Sequence, residues 1–359
     1  MKPRLLVVEL HHLGDAVMSL PFIRGAQEKF DVRVLCRPAT AAIYELLSTP
    51  PEIRKWEPPW ADEKECGALE AIRAARAEGR RLSSPALDTA VCAWADARTA
   101  ILMAAAGAGH RIGFPMTRRN YYAADLPWRA KRLWAGRLLE KFWAITHPGQ
   151  PLLTRWLHRE TARQPHIVCW EQMAEATGVA CDYDEPWISA APSREVDVLR
   201  AAAGRKQLLA VHTLARLPSK QWSPDKWRAL CSSLALRENF ELLEVLPPGN
   251  EPCLDGMARI VAPDVAALAS ILSAADALVC HDSLPAHLAA ALGKRVVTIF
   301  GSGEPDWFAP WNNRQRAVQR RICPLHPCID RCGMDSYLCL DAVTVDDVAK
   351  EIMKLAAKP

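Results

Sequence analysis

The 359-residue chain lacks any run of 18 consecutive apolar residues, so it contains no candidate membrane-spanning helix. It also lacks a recognisable export signal. Met1-Lys2-Pro3-Arg4 leads into Leu5-Leu6-Val7-Val8, an apolar run too short for a signal-peptide core and of strand length. A strong excess of one charge is missing, since the net charge is only +4. A fixed-period repeat is missing too, which argues against a solenoid. Tidy Cys-x-x-Cys pairs are absent, although there are twelve cysteines. With no export signal, most of these read as free, buried thiols in a reducing cytoplasm.

What is present is alternation. Strand-like runs at 4–10, 32–36 and 87–94 are separated by helical patterns at 15–29, 39–47 and 97–106. The second half repeats the style. Strands are expected at 207–212, 240–246, 277–280 and 295–300, and helices at 225–234, 265–274, 285–291 and 345–356. Such alternation implies an α/β fold with parallel sheets covered on both faces. The polar, Pro-containing stretch 182–196 is the linker candidate, giving domains at 1–185 and 186–340. The terminal segment 341–359 forms a helix able to pack back on the N-terminal domain. A cleft between two such domains is the expected ligand site.

Three motifs sit where strands end. Gly14-Asp15 follows the first strand and opens a helix. Taken alone, Asp15 fits the bland role of a helix cap, and Gly14 that of a tight turn or close ligand approach. In the second half, His281-Asp282-Ser283 ends a buried strand, and Pro285 and His287 follow at a helix start. Backbone N–H groups at such a start suit a diphosphate. A lone histidine there would be a packing residue; Asp, Ser, Pro and His together favour a ligand. Thr213 and Lys220 follow another strand and can meet phosphate oxygens, whereas a lone lysine would read as solvated loop.

Taken in order, these motifs resemble glycosyltransferase family 9, the ADP-heptose:lipopolysaccharide heptosyltransferases. The resemblance rests on Gly14-Asp15 with Pro21 and Arg24, and on Arg111-Ile112-Gly113-Phe114. It continues through Lys220 and Trp222, the block from Asp282 to His287, and Phe300-Gly301. It implies a GT-B fold of two facing Rossmann-like domains, the N-terminal one binding acceptor and the C-terminal one binding sugar nucleotide. It also implies inverting, metal-independent transfer of a heptose or related sugar, ADP-heptose being the expected donor. The acceptor would be a lipopolysaccharide core or other surface glycan, presented as an anionic glycolipid at the inner face of the cytoplasmic membrane. A protein acceptor and a non-catalytic nucleotide-sugar-binding relative are the alternatives. By the resemblance Asp15 is the catalytic base, Gly14 lies on the acceptor side, and Thr213, Lys220, Glu251, Asp282, Ser283 and His287 bind the donor. Leu284 stands where the family usually has glycine, which leaves the donor's identity open.

Residues 111–163 carry eleven Lys or Arg against three Asp or Glu, interleaved with Trp128, Trp134, Trp143 and Trp156. An ordinary basic surface and contact with an anionic acceptor at a membrane face both fit; nucleic acid is not expected beside a nucleotide-sugar motif set. Arg118, Arg119, Arg129 and Arg132 are the candidate acceptor contacts, and a peripheral association with the inner membrane follows from them. Finally, Cys323, Cys328, Cys332 and Cys339 cluster near the end of the chain. They could hold a structural zinc or iron, or be free thiols in an irregular loop. No cofactor is expected for catalysis.

Overall fold

The sequence of β1 (Arg4–Glu9) is apolar on both sides of the pleat, and all but its first residue are buried. That pattern belongs to a strand inside a parallel sheet covered on two faces. In a computed structural model the described residues are 1–61, 66–115, 152–160, 164–184, 186–311, 314–326, 328 and 332–356. The chain divides into two units, Met1–Tyr183 and Asp184–Pro359.

In the first unit β1 pairs with β2 (Asp31–Cys36) and β4 (Thr89–Ala95). The full order is β3 (Glu52–Lys55), β2, β1, β4, β5 (His110–Pro115), β6 (Arg155–Trp156), all parallel. The helix expected at 15–29 is broken into Leu13–Met18 and Leu20–Lys29. Pro21 sits in the first turn of the second piece, where a missing N–H costs nothing; inside one long helix it would have cost a hydrogen bond.

In the second unit the order is β12 (Gln315–Val318), β11 (Arg295–Ile299), β10 (Ala277–His281), β7 (Gln207–His212), β8 (Phe240–Leu246), β9 (Ala258–Val261), again parallel. The helix Val345–Ala356 was free, on sequence, to return to the first domain. Instead Val348 and Ile352 pack with Trp222, Trp227 and Leu340 in the core of the second unit. Lys226 Nζ ties the preceding turn by donating to the carbonyls of Asp341 (2.6 Å) and Val343 (2.9 Å).

Each sheet reverses its winding once, between β1 and β4 and between β7 and β10. In open parallel sheets, ligands bind outside the carboxyl ends of the strands at such switch points. Among the described residues no helix is long and apolar enough to cross a membrane.

Candidate functional site

The switch point of the first unit is flanked by the ends of β1 and β4. Asp15 lies at the third position of the helix Leu13–Met18, and its Oδ2 accepts the backbone N–H of His12 at 3.2 Å. The capping role is therefore real. It occupies one carboxylate oxygen; the other, Oδ1, lies 3.7 Å from Nε2 of the buried His166. His166 stacks on Trp94 of β4 with ring centroids 4.9 Å apart. Gly14 is an ordinary helical residue, not one of the glycines with positive φ, so the tight turn expected there is not formed. Arg111 is structural: it donates to the carbonyls of Ala108 and Leu152. Arg118, Arg119, Arg129 and Arg132 lie outside the described residues.

From the sequence Glu9 stood out only as an acid of no evident role, and His11 went unnoticed. Glu9 is 1% exposed at the end of β1, and its Oε1 accepts from the His11 backbone N–H at 3.1 Å and lies 3.2 Å from His11 Nδ1. Burial pulls the His11 imidazole down, but the hydrogen bond and charge of Glu9, helped by Asp15 and Asp96, outweigh it and raise its pKa. The available signal was a carboxylate closing an otherwise apolar strand.

The switch point of the second unit brings together Lys220, Asp282 and His287 of the expected donor residues. Lys220 ends the short helical turn Pro218–Lys220, and its Nζ lies 2.9 Å from Oδ2 of the buried Asp282. Asp282 follows β10, and its N–H donates to the Ile299 carbonyl. Beside it, His287 is buried, which holds its pKa down; Asp282 opposes that shift and Lys220 adds to it. His281 Nε2 accepts the Trp222 N–H at 2.8 Å, and burial lowers its pKa to about 3. Thr213 is buried directly after β7.

The loop after β11 closes on this pair with no room to spare. A Cβ on Gly303 would come 2.6 Å from Asp282 Oδ2, and one on Gly301 would come 2.4 Å from the Ser219 carbonyl oxygen. Ser302 links to Ser219 through side chain (3.1 Å) and backbone (3.2 Å). The short glycines thus let two loops share Asp282 and Ser219 between them. A cavity of about 540 Å³ is lined by Ser219 together with Asp335, Tyr337 and Asp341 among others.

Four expectations at this site change. The helix start Leu284–Ala291 offers fewer donors than its sequence suggested, because Pro285 has no N–H and the Ala286 N–H goes to the Ser283 carbonyl. The Ser283 hydroxyl donates to the His281 carbonyl. Leu284 adopts helical geometry and is half-buried, so it carries no backbone strain. Glu251 is exposed on the loop after β8, and no described hydrogen bond or ion pair joins it to Lys220 or Asp282.

Of the two readings left open for the four clustered cysteines, the metal site gains no support. Among the described residues no group of three or more His, Cys, Asp or Glu side chains is placed to hold a metal ion. All twelve cysteines are unpaired thiols. Burial, reinforced by the neighbouring cysteines, pushes Cys328 up to about 12. The intervening His326 turns its Nε2 to the buried Glu304 at 3.3 Å. The described residues of this loop do not support a resident metal.

Known proteins resemble this chain along its length. The sequence model described as glycosyltransferase family 9 (heptosyltransferase) matches residues 75–337. Lipopolysaccharide heptosyltransferase 2 of Escherichia coli (strain K12) is 22% identical over 339 residues, covering 88% of each chain. Among solved structures, a family 9 glycosyl transferase from Veillonella parvula DSM 2008 superposes with a TM-score of 0.71 at 15% identity, over 99% of this chain and 98% of that one. The E. coli heptosyltransferase WaaC with ADP gives 0.65 at 15% identity, over 98% and 99%. At such identities the structural likeness carries the fold, two parallel six-stranded α/β units of the GT-B class.

Proposed function

Because the chain belongs to glycosyltransferase family 9 and is a glycosyltransferase, we propose that it transfers a heptose or related sugar, with inversion, from a nucleotide-sugar to a surface glycan. ADP-heptose is the donor we favour, and a lipopolysaccharide core the acceptor. The WaaC relative was solved with ADP, and the curated relative is a lipopolysaccharide heptosyltransferase. The observation that carries the proposal is the buried Lys220–Asp282 pair at 2.9 Å on the switch point of the second unit.

The chemistry follows from the charges. As the sugar–phosphate bond breaks, negative charge builds on the departing diphosphate. The Lys220 ammonium supplies a counter-charge in a site of low dielectric, where it acts most strongly. Thr213 can donate to a phosphate oxygen. Asp282, held by Lys220, accepts from sugar hydroxyls, and His287, neutral through burial, offers one ring nitrogen as donor or acceptor. Asp15 takes the acceptor's proton as its hydroxyl attacks the anomeric carbon. Attack from the face opposite the leaving group inverts that carbon. Glu251 and Gly14 are weaker members of this assignment. We place the enzyme in the cytoplasm, associated with the inner membrane face through the basic segment 111–163.

The test is product stereochemistry. Incubation with ADP-heptose and a core glycolipid, followed by NMR of the product, should give the anomeric configuration opposite to the donor's. Retention of configuration, or turnover of UDP- or GDP-sugars in preference to ADP-heptose, would contradict the corresponding part of the proposal.

A further inference from the structure

Glu9 is a costly residue to bury at the end of an apolar strand. The rest of β1 is apolar, and a buried carboxylate must be compensated or it destabilises the fold. Here Oε1 holds the backbone and Nδ1 of His11, while Oε2 has no hydrogen-bond partner. The main achievement of this carboxylate is to fix one imidazole. Its bond to Nδ1 sets the ring's tautomer and direction, as carboxylates do for histidines that act on ligands.

His11 stands at the switch point, against Trp94 with ring centroids 5.6 Å apart. Its side chain is 39% exposed, and its Nε2 has no protein partner among the described residues. The charged groups around it are Glu9 below, Asp15 on the next helix and Asp96 after β4. Two neighbouring arginines among the described residues have partners of their own. Arg98 Nε binds Asp96 at 2.6 Å, and Arg159 lies over Trp94 while donating to the Gln164 carbonyl. His166 occupies the other side of Asp15. Among the described residues, His11 is therefore a half-exposed group at this site able to bring positive charge to a ligand.

We propose that His11 is a further substrate-contacting residue of the first unit: locked by Glu9 through Nδ1, it presents Nε2–H to a carboxylate or phosphate group carried by the acceptor beside the hydroxyl that Asp15 deprotonates. The inference rests on Asp15 being the base and assigns the acceptor's neighbouring acid to a specific residue. A charged imidazole here both binds the acid and offsets the repulsion between that acid and Asp15.

The test uses the full chain with ring-labelled histidine, the His11 signals being identified by their loss in His11→Gln. Acetate and inorganic phosphate are titrated separately at about pH 6.5, where imidazole charge is in play. A saturable response of the His11 signals is expected, and the anion giving the tighter response identifies the acid. In Glu9→Gln, which keeps the side chain's shape, His11 should titrate at lower pH and the anion response should weaken roughly tenfold. If that variant does not fold, the wild-type titration decides alone. No response to either anion, or an undiminished one in folded Glu9→Gln, overturns the proposal. Asp15→Asn separates the two ideas. It should keep the response at His11 while losing transfer; transfer that survives there, with the response intact, removes the base and leaves the His11 contact standing.

Discussion

Removing the Lys220 ammonium strands Asp282, which is 5% exposed and has no other ion-pair partner among the described residues. Deleting one member of a buried pair costs about 3–5 kcal/mol; with Lys220 itself about a fifth exposed, Lys220→Met should cost roughly 2 kcal/mol, read by denaturant unfolding. The same variant should abolish detectable nucleotide-sugar binding. A double variant, Lys220→Met with Asp282→Asn, should recover most of the stability and none of the binding. Full stability in the single variant would mean that the pair is not buried as described.

A second residue-scale prediction concerns pH. Burial depresses His281 to about 3 and His212 to about 4. In the unfolded chain both take protons below about 6.5, while in the folded chain they do not. The unfolded state therefore binds more protons between those values, and stability falls as pH drops from about 6.5 towards 4. His281→Gln can keep an acceptor for the Trp222 N–H while removing the titration. Thermal unfolding between pH 7 and 4 should show a shallower loss in that variant; an equal slope would exclude His281 as a source.

At the scale of elements, the glycine loop after β11 is the most sensitive feature. Gly303→Ala would press a methyl group on Asp282 Oδ2, and Gly301→Ala would press one on the Ser219 carbonyl. Backbone is the harder obstacle of the two. Gly301→Ala should thus lower the unfolding temperature more, and Gly303→Ala should act mainly on donor binding, weakening it about tenfold, for about 1.4 kcal/mol. Calorimetric titration beside a melting curve separates these effects. Donor binding unaffected by Gly303→Ala would deny Asp282 its place in the site.

The elements that sequence revealed are the buried central ones. β1, β2, β4, β7, β8, β10 and β11 announce themselves as apolar runs because both faces are covered. The outer strands β3, β9 and β12 are short and mostly exposed or half-exposed, so Glu-Ile-Arg-Lys at 52–55 carries no strand pattern. The helix Ala68–Leu82 carries an amphipathic pattern that the sequence reading did not use; its buried face, with Ala71, Ala75, Gly79 and Leu82, has small residues that let it approach the helix Ala97–Ala105. At the site, Lys220, Asp282 and His287 were legible as ordered motif residues. His166 was not, since it lies 151 positions from Asp15 and meets it only through tertiary packing.

The whole molecule divides into two units, each with its own sheet and its own switch point. The helix Val345–Ala356 belongs to the core of the second. Ending the chain at residue 344 should therefore unfold the second unit and remove donor binding, while amides of β1 and β4 keep their protection in hydrogen exchange. Loss of protection across both units would show that the first does not hold its own core.

In the proposed function the division also separates two chemical tasks, with Asp15 in one unit and Lys220 with Asp282 in the other. The most direct measurement pairs calorimetric ADP-heptose binding with single-turnover transfer in Asp15→Asn. A general base contributes about 10²–10⁴-fold, so transfer should fall by at least about a hundredfold while donor affinity stays within about twofold of the wild type. Transfer at the wild-type rate, or loss of donor binding in step with transfer, would contradict the assignment of Asp15 as the base.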